Sequence, residues 1–253
     1  MPAFNESEGI GEFVTEIRVH VASLAERVTF LVADDRSTDG TAEVLAEIDD
    51  VQVQVQASNR GHGPTALAAY RAGLALTPDV LVHVDGDGQF LGQDLARVIS
   101  ALLRENADVV HGVRRNRTDP WFRRVLTATV SVLVAATVGR RIPDVNTPLR
   151  AYRPGVVAQL VAAVPSDSLI PHVHFALAEA RGDVVVRYLA VRSIPRRGVS
   201  ASGTMWGRAS RIPLPSKRLR SFARAALREL WLQSLRAQAP LREISLTPAP
   251  SVR

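Results

Sequence analysis

The first 113 residues follow one rhythm. A short apolar run rich in β-branched residues is followed by a turn of Asp, Gly, Ser or Thr, and then by a stretch with helical spacing. VTFLVA (28–33) leads into DDRSTDG and TAEVLAEI. VQVQVQ (51–56) alternates with period two and leads into RGHGPTALAAYRAGLAL (60–76). VLVHV (80–84) leads into DGDGQ and the helical stretch 91–104, and ADVVHGV (107–113) closes the series. Period-two runs alternating with period-3.6 stretches predict βαβ units, which require a mostly parallel sheet covered by helices on both faces. The fold class is therefore α/β, doubly wound. One element is out of place. PAFNE reads as a turn entering a helix over 7–20, and only Met1 precedes it. The first strand is thus expected to be missing or truncated, by about 5–10 residues, one strand's worth.

Beyond residue 113 the pattern loosens. The basic stretch RRNRTDPWFRR leads into VLTATVSVLVAATVG (125–139), set between Arg123-Arg124 and Arg140-Arg141. A membrane-spanning helix needs about 20 apolar residues and this run has about 15, so a buried or interfacial helix is expected. The segment 142–154 is turn-rich. Helices are predicted over 154–163 and 168–181, a strand over 184–194, and an amphipathic Arg/Leu helix over 216–238. The proline-containing end PLREISLTPAPSVR reads as loose.

The net charge of +6 conceals two halves. Residues 1–110 hold 7 Arg against 18 Asp and Glu, a net of −11; residues 111–253 hold 24 Lys and Arg against 7 Asp and Glu, a net of +17. An acidic front and a basic back predict two tasks in one chain. The absence of cysteine excludes disulfide frameworks and thiolate metal sites and fits a reducing compartment. The N-terminal residues lack the basic and apolar regions of a signal peptide, so a cytoplasmic location is expected. The basic pI of 10.8 raises nucleic-acid binding, but no aromatic stacking platform or known motif accompanies the arginines, and no nucleic-acid partner is expected.

Four segments carry chemistry. Asp85-Gly86-Asp87-Gly88-Gln89 places two carboxylates one residue apart at the end of a predicted parallel strand, where open α/β sheets bind ligands. Such a pair suits a hard divalent cation. By itself it reads equally as a polar turn. Asp34-Asp35-Arg36-Ser37-Thr38-Asp39-Gly40-Thr41 also follows a strand. A carboxylate there can accept from a ribose hydroxyl, or the segment can simply cap a helix, Asp39 above all. Asn59-Arg60-Gly61-His62-Gly63 opens a helix, and its glycines allow close backbone approach to an anion.

In order and spacing, P-A-F-N-E, D-D-x-S-T-D-G-T, N-x-G-x-G-x-x-A-L and D-x-D-x-Q resemble the family 2 glycosyltransferases, in the branch that includes dolichyl- and polyprenyl-phosphate sugar transferases. Asp144-Val145-Asn146-Thr147-Pro148-Leu149-Arg150 and Pro195-Arg196-Arg197-Gly198-Val199-Ser200 extend the resemblance, which covers residues 1–203. The resemblance implies a GT-A fold and inverting transfer from a nucleotide-diphospho-sugar with Mg²⁺ or Mn²⁺. Residues 1–113 would form the nucleotide-sugar half, 114–203 the acceptor half, and 204–253 a basic amphipathic extension. It implies that Pro2, Ala3 and Glu6 line the base and ribose and that Asp34 and Asp35 bind the nucleoside. Asp85 would lie on the ribose or sugar side, Asp87 and Gln89 at the metal and diphosphate, and Asp144 near sugar and acceptor. Arg150 and Arg197 would meet phosphates, and Ser200 would close over the donor.

Two catalytic roles are open for Asp144. A hydroxyl acceptor requires a general base. A lipid-phosphate acceptor is already anionic, and Asp144 would then position it. Arg114, Arg115, Arg117, Arg123 and Arg124 favour the anionic acceptor, met from the cytoplasmic membrane face through the 125–139 and 216–238 helices. A soluble metabolite or glycan acceptor, or a nucleotide-sugar binder without turnover, are the alternatives. The chain departs from the family pattern at Arg36 for Gly, at Phe4 for Tyr, over 186–191 where a carboxylate is usual, and at His172 and His174. Two histidines at i, i+2 do not share a helix face, so a structural role is expected for both rather than zinc ligation.

Overall fold

A computed structural model describes residues 1–115, 121–198, 216–242 and 244–248, with only the backbone for 121–125. Three parallel strands, β1 (Pro2–Ala3), β2 (Phe30–Asp34) and β3 (Val51–Val55), lie in the order β1-β2-β3. Four more, β4 (Leu81–His83), β5 (Val109–Arg115), β6 (Arg150–Tyr152) and β7 (Val186–Arg192), lie in the order β4-β6-β5-β7. β6 is antiparallel to both of its neighbours, and β5 and β7 are parallel. The Gly86 amide donates to the Pro2 carbonyl at 3.0 Å and ties the two sheets together beside β1.

The expected gap at the first strand is corrected by this arrangement. β1 is present from Pro2, and its ladder to β2 continues on both sides. The Ala33 amide donates to Met1 O at 2.8 Å and the Asp35 amide to Ala3 O at 2.9 Å. The strand escaped notice because two residues between a methionine and a turn carry no periodicity. β6 was hidden for a related reason. Arg150, Ala151 and Tyr152 are all buried, and a buried arginine breaks the apolar pattern by which an internal strand is recognised.

Helices cover both faces. In α1 (Ile10–Val21), Ile10, Phe13, Val14, Ile17 and Val21 form the buried stripe that helical periodicity demands. With Leu95, Val98 and Leu102 of α4 (Gly92–Arg104) they build one core cluster against β2 and β5. On the other face, α3 (His62–Ala75) and α6 (Pro154–Ala163) enclose Leu67, Tyr70, Tyr152, Val156 and Leu160. The short α2 (Thr41–Ala46) follows β2. A third cluster joins α5 (Trp121–Val138), α7 (Pro171–Arg181) and α8 (Lys217–Leu230) through Val134, Leu177 and Leu230. Each fully buried aliphatic or aromatic side chain in these clusters stabilises by about 1.5–3 kcal/mol.

The end of the chain is not loose over its described part. Leu241 and Leu246 are buried in the second cluster, and Leu246 O accepts from the Asp183 amide at 3.2 Å. Among the described residues, no helix is long and apolar enough to cross a membrane.

Candidate active site

Because β4 and β5 are both antiparallel to β6, they run parallel to each other, and β7 runs with them. Asp85, Arg114 and the segment after β7 therefore emerge at one edge of the sheet. The Gly86–Pro2 hydrogen bond brings the end of β1 to the same edge. Strand ends in an open α/β sheet leave a crevice at this edge.

The first two sequence motifs interlock there. The Asn5 amide donates to Ser37 Oγ at 2.9 Å, the Thr38 amide to Asn5 Oδ1 at 2.9 Å, and the Glu6 amide to Thr41 Oγ1 at 2.9 Å. Asp34 accepts from the Ser37 amide and hydroxyl. Asp39 caps α2 by accepting from the Thr41 amide at 3.1 Å, and it also accepts from the Ser7 amide and hydroxyl. Burial works to raise the Asp39 carboxyl, but the bonds from Thr41 and Ser7 outweigh it and hold the group below its ordinary value. Arg36 has a left-handed φ of 63° and donates to the Ala57 carbonyl at 3.0 Å. The family's glycine at this position matches that backbone conformation.

Asp35 joins the second motif to the third. Its two oxygens accept from the Arg60 and Gly61 amides, each at 2.8 Å, and its carbonyl accepts from Asn59 Nδ2 at 3.1 Å. The carboxylate expected to touch the nucleoside thus holds the first turn of α3 in place. His62, in that turn, puts Nε2 3.7 Å from Asp85 Oδ1.

The paired carboxylates lie at the centre. Asp85 Oδ1 is buried without a hydrogen-bond partner. Asp87 accepts from the Gln89 amide at 3.1 Å. Burial, reinforced by the charge of Asp85, pushes the Asp87 carboxyl up to about 6. Glu6 is pushed up to about 8 by burial, against the pull of Arg196 and with the push of Asp87 and Asp85. Arg196 donates from Nε to Glu6 at 2.9 Å and from Nη2 to the Asn5 carbonyl at 2.8 Å. The charge of Asp85 thus acts on both Asp87 and Glu6, and its own Oδ1 receives no hydrogen bond. Among the described residues no group of three or more His, Cys, Asp or Glu side chains is placed to hold a metal ion. Mg²⁺ and Mn²⁺ keep few protein carboxylates and complete their shell with water and substrate phosphates, so a pair such as Asp85 and Asp87 would supply only part of the ligands of such an ion.

Other expected site residues lie elsewhere. Arg150 is wholly buried. It donates to the carbonyls of Thr147, Val145 and His172 at 2.9–3.0 Å and lies 3.5 Å from Glu179 Oε1. It is a core arginine and not a phosphate ligand, because its N–H groups are spent inside the protein. Arg197 also turns away. Its guanidinium pairs with Glu16 and Glu12 of α1, donates to Gly88 O at 3.2 Å and lies over Phe13 at 5.1 Å. Arg196 is the arginine beside the carboxylates. The two arginines are consecutive yet take different partners, Glu6 for Arg196 and Glu16 for Arg197, which nothing in Pro195-Arg196-Arg197 distinguishes. Ala3 packs its side chain into the first core cluster, and Pro2 contributes its carbonyl to Gly86. Ser200 and Arg117 lie outside the described residues, as do the side chains of Arg123 and Arg124. His172 donates or accepts at Tyr70 OH at 3.2 Å, and His174 pairs with Ser234 and Glu229. Asp144 is held by Arg114 through bonds of 2.9 and 3.1 Å.

A mostly parallel sheet with glycine-rich loops and paired carboxylates at its strand ends defines an α/β ligand-binding domain. The model of glycosyl transferase family 2 matches residues 1–158, and the chain belongs to that family. Glucosyl-3-phosphoglycerate synthase from Mycobacterium tuberculosis, solved with Mn²⁺ and UDP-glucose, shares the fold at a TM-score of 0.61. It is 16% identical, and the match covers 91% of this chain and 76% of that one. The same enzyme with phosphoglyceric acid matches at 0.61 and 17% identity over 91% and 76% of the two chains. A mannosyltransferase from Pyrobaculum calidifontis, solved with GDP-mannose and Mn²⁺, matches at 0.54 and 22% identity over 78% of this chain and 56% of that one. These likenesses establish the GT-A-type fold.

Proposed function

We propose that the protein transfers a sugar, with inversion, from a nucleotide-diphospho-sugar to an anionic acceptor, foremost a polyprenyl or dolichyl phosphate. The observation that carries this reading is the Asp85/Asp87 pair, whose buried Asp85 Oδ1 receives no hydrogen bond, beside Glu6 and Arg196. Asp87 and Gln89 would hold Mg²⁺ or Mn²⁺ against the donor diphosphate. The bound cation supplies charge neutralisation of the leaving nucleoside diphosphate. Glu6 lines the nucleoside wall, and Pro2 and Ala3 support it from β1. Asp34 and Asp35 act through the loops they hold, and Asp85 faces ribose or sugar next to His62. Residues 1–113 serve the donor, 114–203 the acceptor, and 204–253 form the basic extension. The UDP-glucose and GDP-mannose in the two similar enzymes support a nucleotide-sugar donor here.

In the transfer an acceptor oxygen attacks the anomeric carbon from the face opposite the diphosphate, and the bond from that carbon to the diphosphate oxygen breaks. A phosphate acceptor arrives ionised, so no proton has to move. The lock of Asp144 on Arg114 supports this version, since both of its oxygens already accept from the guanidinium. Asp144 then positions Arg114 toward the acceptor. A lipid acceptor is reached by peripheral contact. Lys217, Arg220, Arg224 and Arg228 form an exposed stripe on α8 that ends at Trp231, which is 59% exposed. A soluble acceptor is the second reading, favoured by the phosphoglyceric acid bound in the similar synthase.

The test offers UDP-, GDP- and dTDP-sugars with Mn²⁺ to the protein, with polyprenyl phosphate in anionic vesicles or with 3-phosphoglycerate. Sugar transfer to the lipid, together with flotation on the vesicles at low salt, supports the first reading. Transfer only to the soluble acid supports the second. Donor binding without transfer or hydrolysis would reduce the protein to a nucleotide-sugar binder.

A further inference from the structure

Glu229 is the only acidic residue in the arginine-rich helix α8. It faces inward, opposite the basic stripe, and its carboxylate is fully used. Oε1 accepts from Ser168 Oγ at 2.5 Å and lies 3.0 Å from His174 Nε2, and Oε2 accepts from the Leu169 amide at 2.9 Å. His174 is fixed in turn by Ser234 Oγ at 2.7 Å in the π-helical turn Trp231–Leu235 that continues α8. Glu229 therefore holds the connection between α6 and α7 to the C-terminal extension.

That connection presses on the donor loop from the other side. The backbone of Ser168 and Leu169 lies against Gly63 in the first turn of α3. A Cβ added at Gly63 would collide with Ser168 O and stand 2.8 Å from the Leu169 carbonyl. Arg60 Nη2 reaches Ser166 O at 3.4 Å. The second glycine of N-x-G-x-G is thus required by protein backbone, whatever the first glycine does for a ligand. Asp35 grips Arg60 and Gly61 from β2, and residues 166–169 support Gly63 from behind.

We infer that α8 is a working part of the donor site, with Glu229 as the positioning residue that seats residues 166–169 beneath Gly63 and so sets the first turn of α3. The extension is then not a separable tail, although the family match ends at residue 158. Only the consequence for donor affinity rests on the proposed function; the mechanical link stands apart from it.

Two measurements on the full chain separate these. The first is hydrogen exchange of the amides in 61–66 in wild type, Glu229→Ala, Glu229→Gln and Leu246→Ala, the last a core variant outside the Glu229 hydrogen bonds. Exchange in 61–66 should speed up about tenfold in Glu229→Ala, as for the loss of buried hydrogen bonds to a charged acceptor. Glu229→Gln should lie between, because one amide oxygen still accepts, and Leu246→Ala should leave 61–66 no faster than the rest of the molecule. Wild-type protection of 61–66 in both Glu229 variants would overturn the inference, and Glu229→Gln decides alone if Glu229→Ala does not fold. The second is calorimetric titration with UDP and GDP in Mn²⁺, where the dissociation constant should rise about tenfold in Glu229→Ala and remain near wild type in Leu246→Ala. If wild type binds neither nucleotide, the donor reading fails while the exchange result still decides the link. Equal weakening in Leu246→Ala would reduce Glu229 to a general stabiliser and overturn its positioning role.

Discussion

Asp144 and Arg114 form a two-point ion pair, with Nε 2.9 Å from Oδ2 and Nη2 3.1 Å from Oδ1, at the end of β5. A carboxylate whose two oxygens both accept from one guanidinium orients that arginine. Asp144→Asn should therefore raise the acceptor KM about tenfold while the acid limb of the kcat–pH profile stays where it is. Loss of about 10²–10⁴ in kcat with disappearance of that limb would instead mark Asp144 as a general base.

Arg196 and Arg197 are neighbours with opposite assignments. Arg196→Ala should weaken nucleotide diphosphate binding about tenfold, since it removes the cation beside Glu6 and Asp87. Arg197→Ala should leave that affinity within a few-fold and lower stability by about 1–3 kcal/mol, because Glu12, Glu16 and Phe13 lose their partner. Chemical denaturation and calorimetry on both variants check the split.

Arg150 carries a stability prediction. With every polar contact internal, Arg150→Ala leaves Glu179 and three carbonyls short of partners. Breaking a buried pair from one side costs about 3–5 kcal/mol. The variant should unfold at much lower urea, and any that remains folded should bind nucleotide diphosphate normally.

The βαβ rhythm of residues 28–113 was readable because each buried strand is apolar and each turn is polar. β1 and β6 were not readable, since the first is two residues long and the second carries a buried arginine. The motif carboxylates of the donor edge were legible as a set. Their division of labour was not, because it depends on which partners the fold supplies. Asp35 and Asp87 each follow a strand, yet one spends both oxygens on backbone amides and the other faces Asp85. The inward turn of Glu229 in a basic helix has a faint signal in sequence, as the lone acid on the apolar side of an arginine stripe.

Glu229 also gives a dependence on pH. Burial tends to raise its carboxyl, and the bonds from His174, Ser168 and Leu169 prevail and hold it below the ordinary value of 4.5. A carboxyl lowered in the folded state stabilises fully above its unfolded value, and that contribution is lost as pH falls through the folded one. Wild type should therefore be more stable than Glu229→Gln at pH 7, and the gap should narrow below about pH 4.5. Urea midpoints at pH 7, 5 and 3.5 test this; a constant gap would contradict it.

The most direct test of the donor site is the affinity of wild type and Asp87→Ala for UDP and GDP, titrated with and without Mn²⁺. Wild type should bind at least one of the two nucleotides with a dissociation constant that falls at least tenfold when Mn²⁺ is added. Asp87→Ala should lose that Mn²⁺ dependence while remaining folded. Equal affinities in the two proteins, with Mn²⁺ making no difference to either, would contradict the assignment of Asp87 and its neighbours as the metal and diphosphate site.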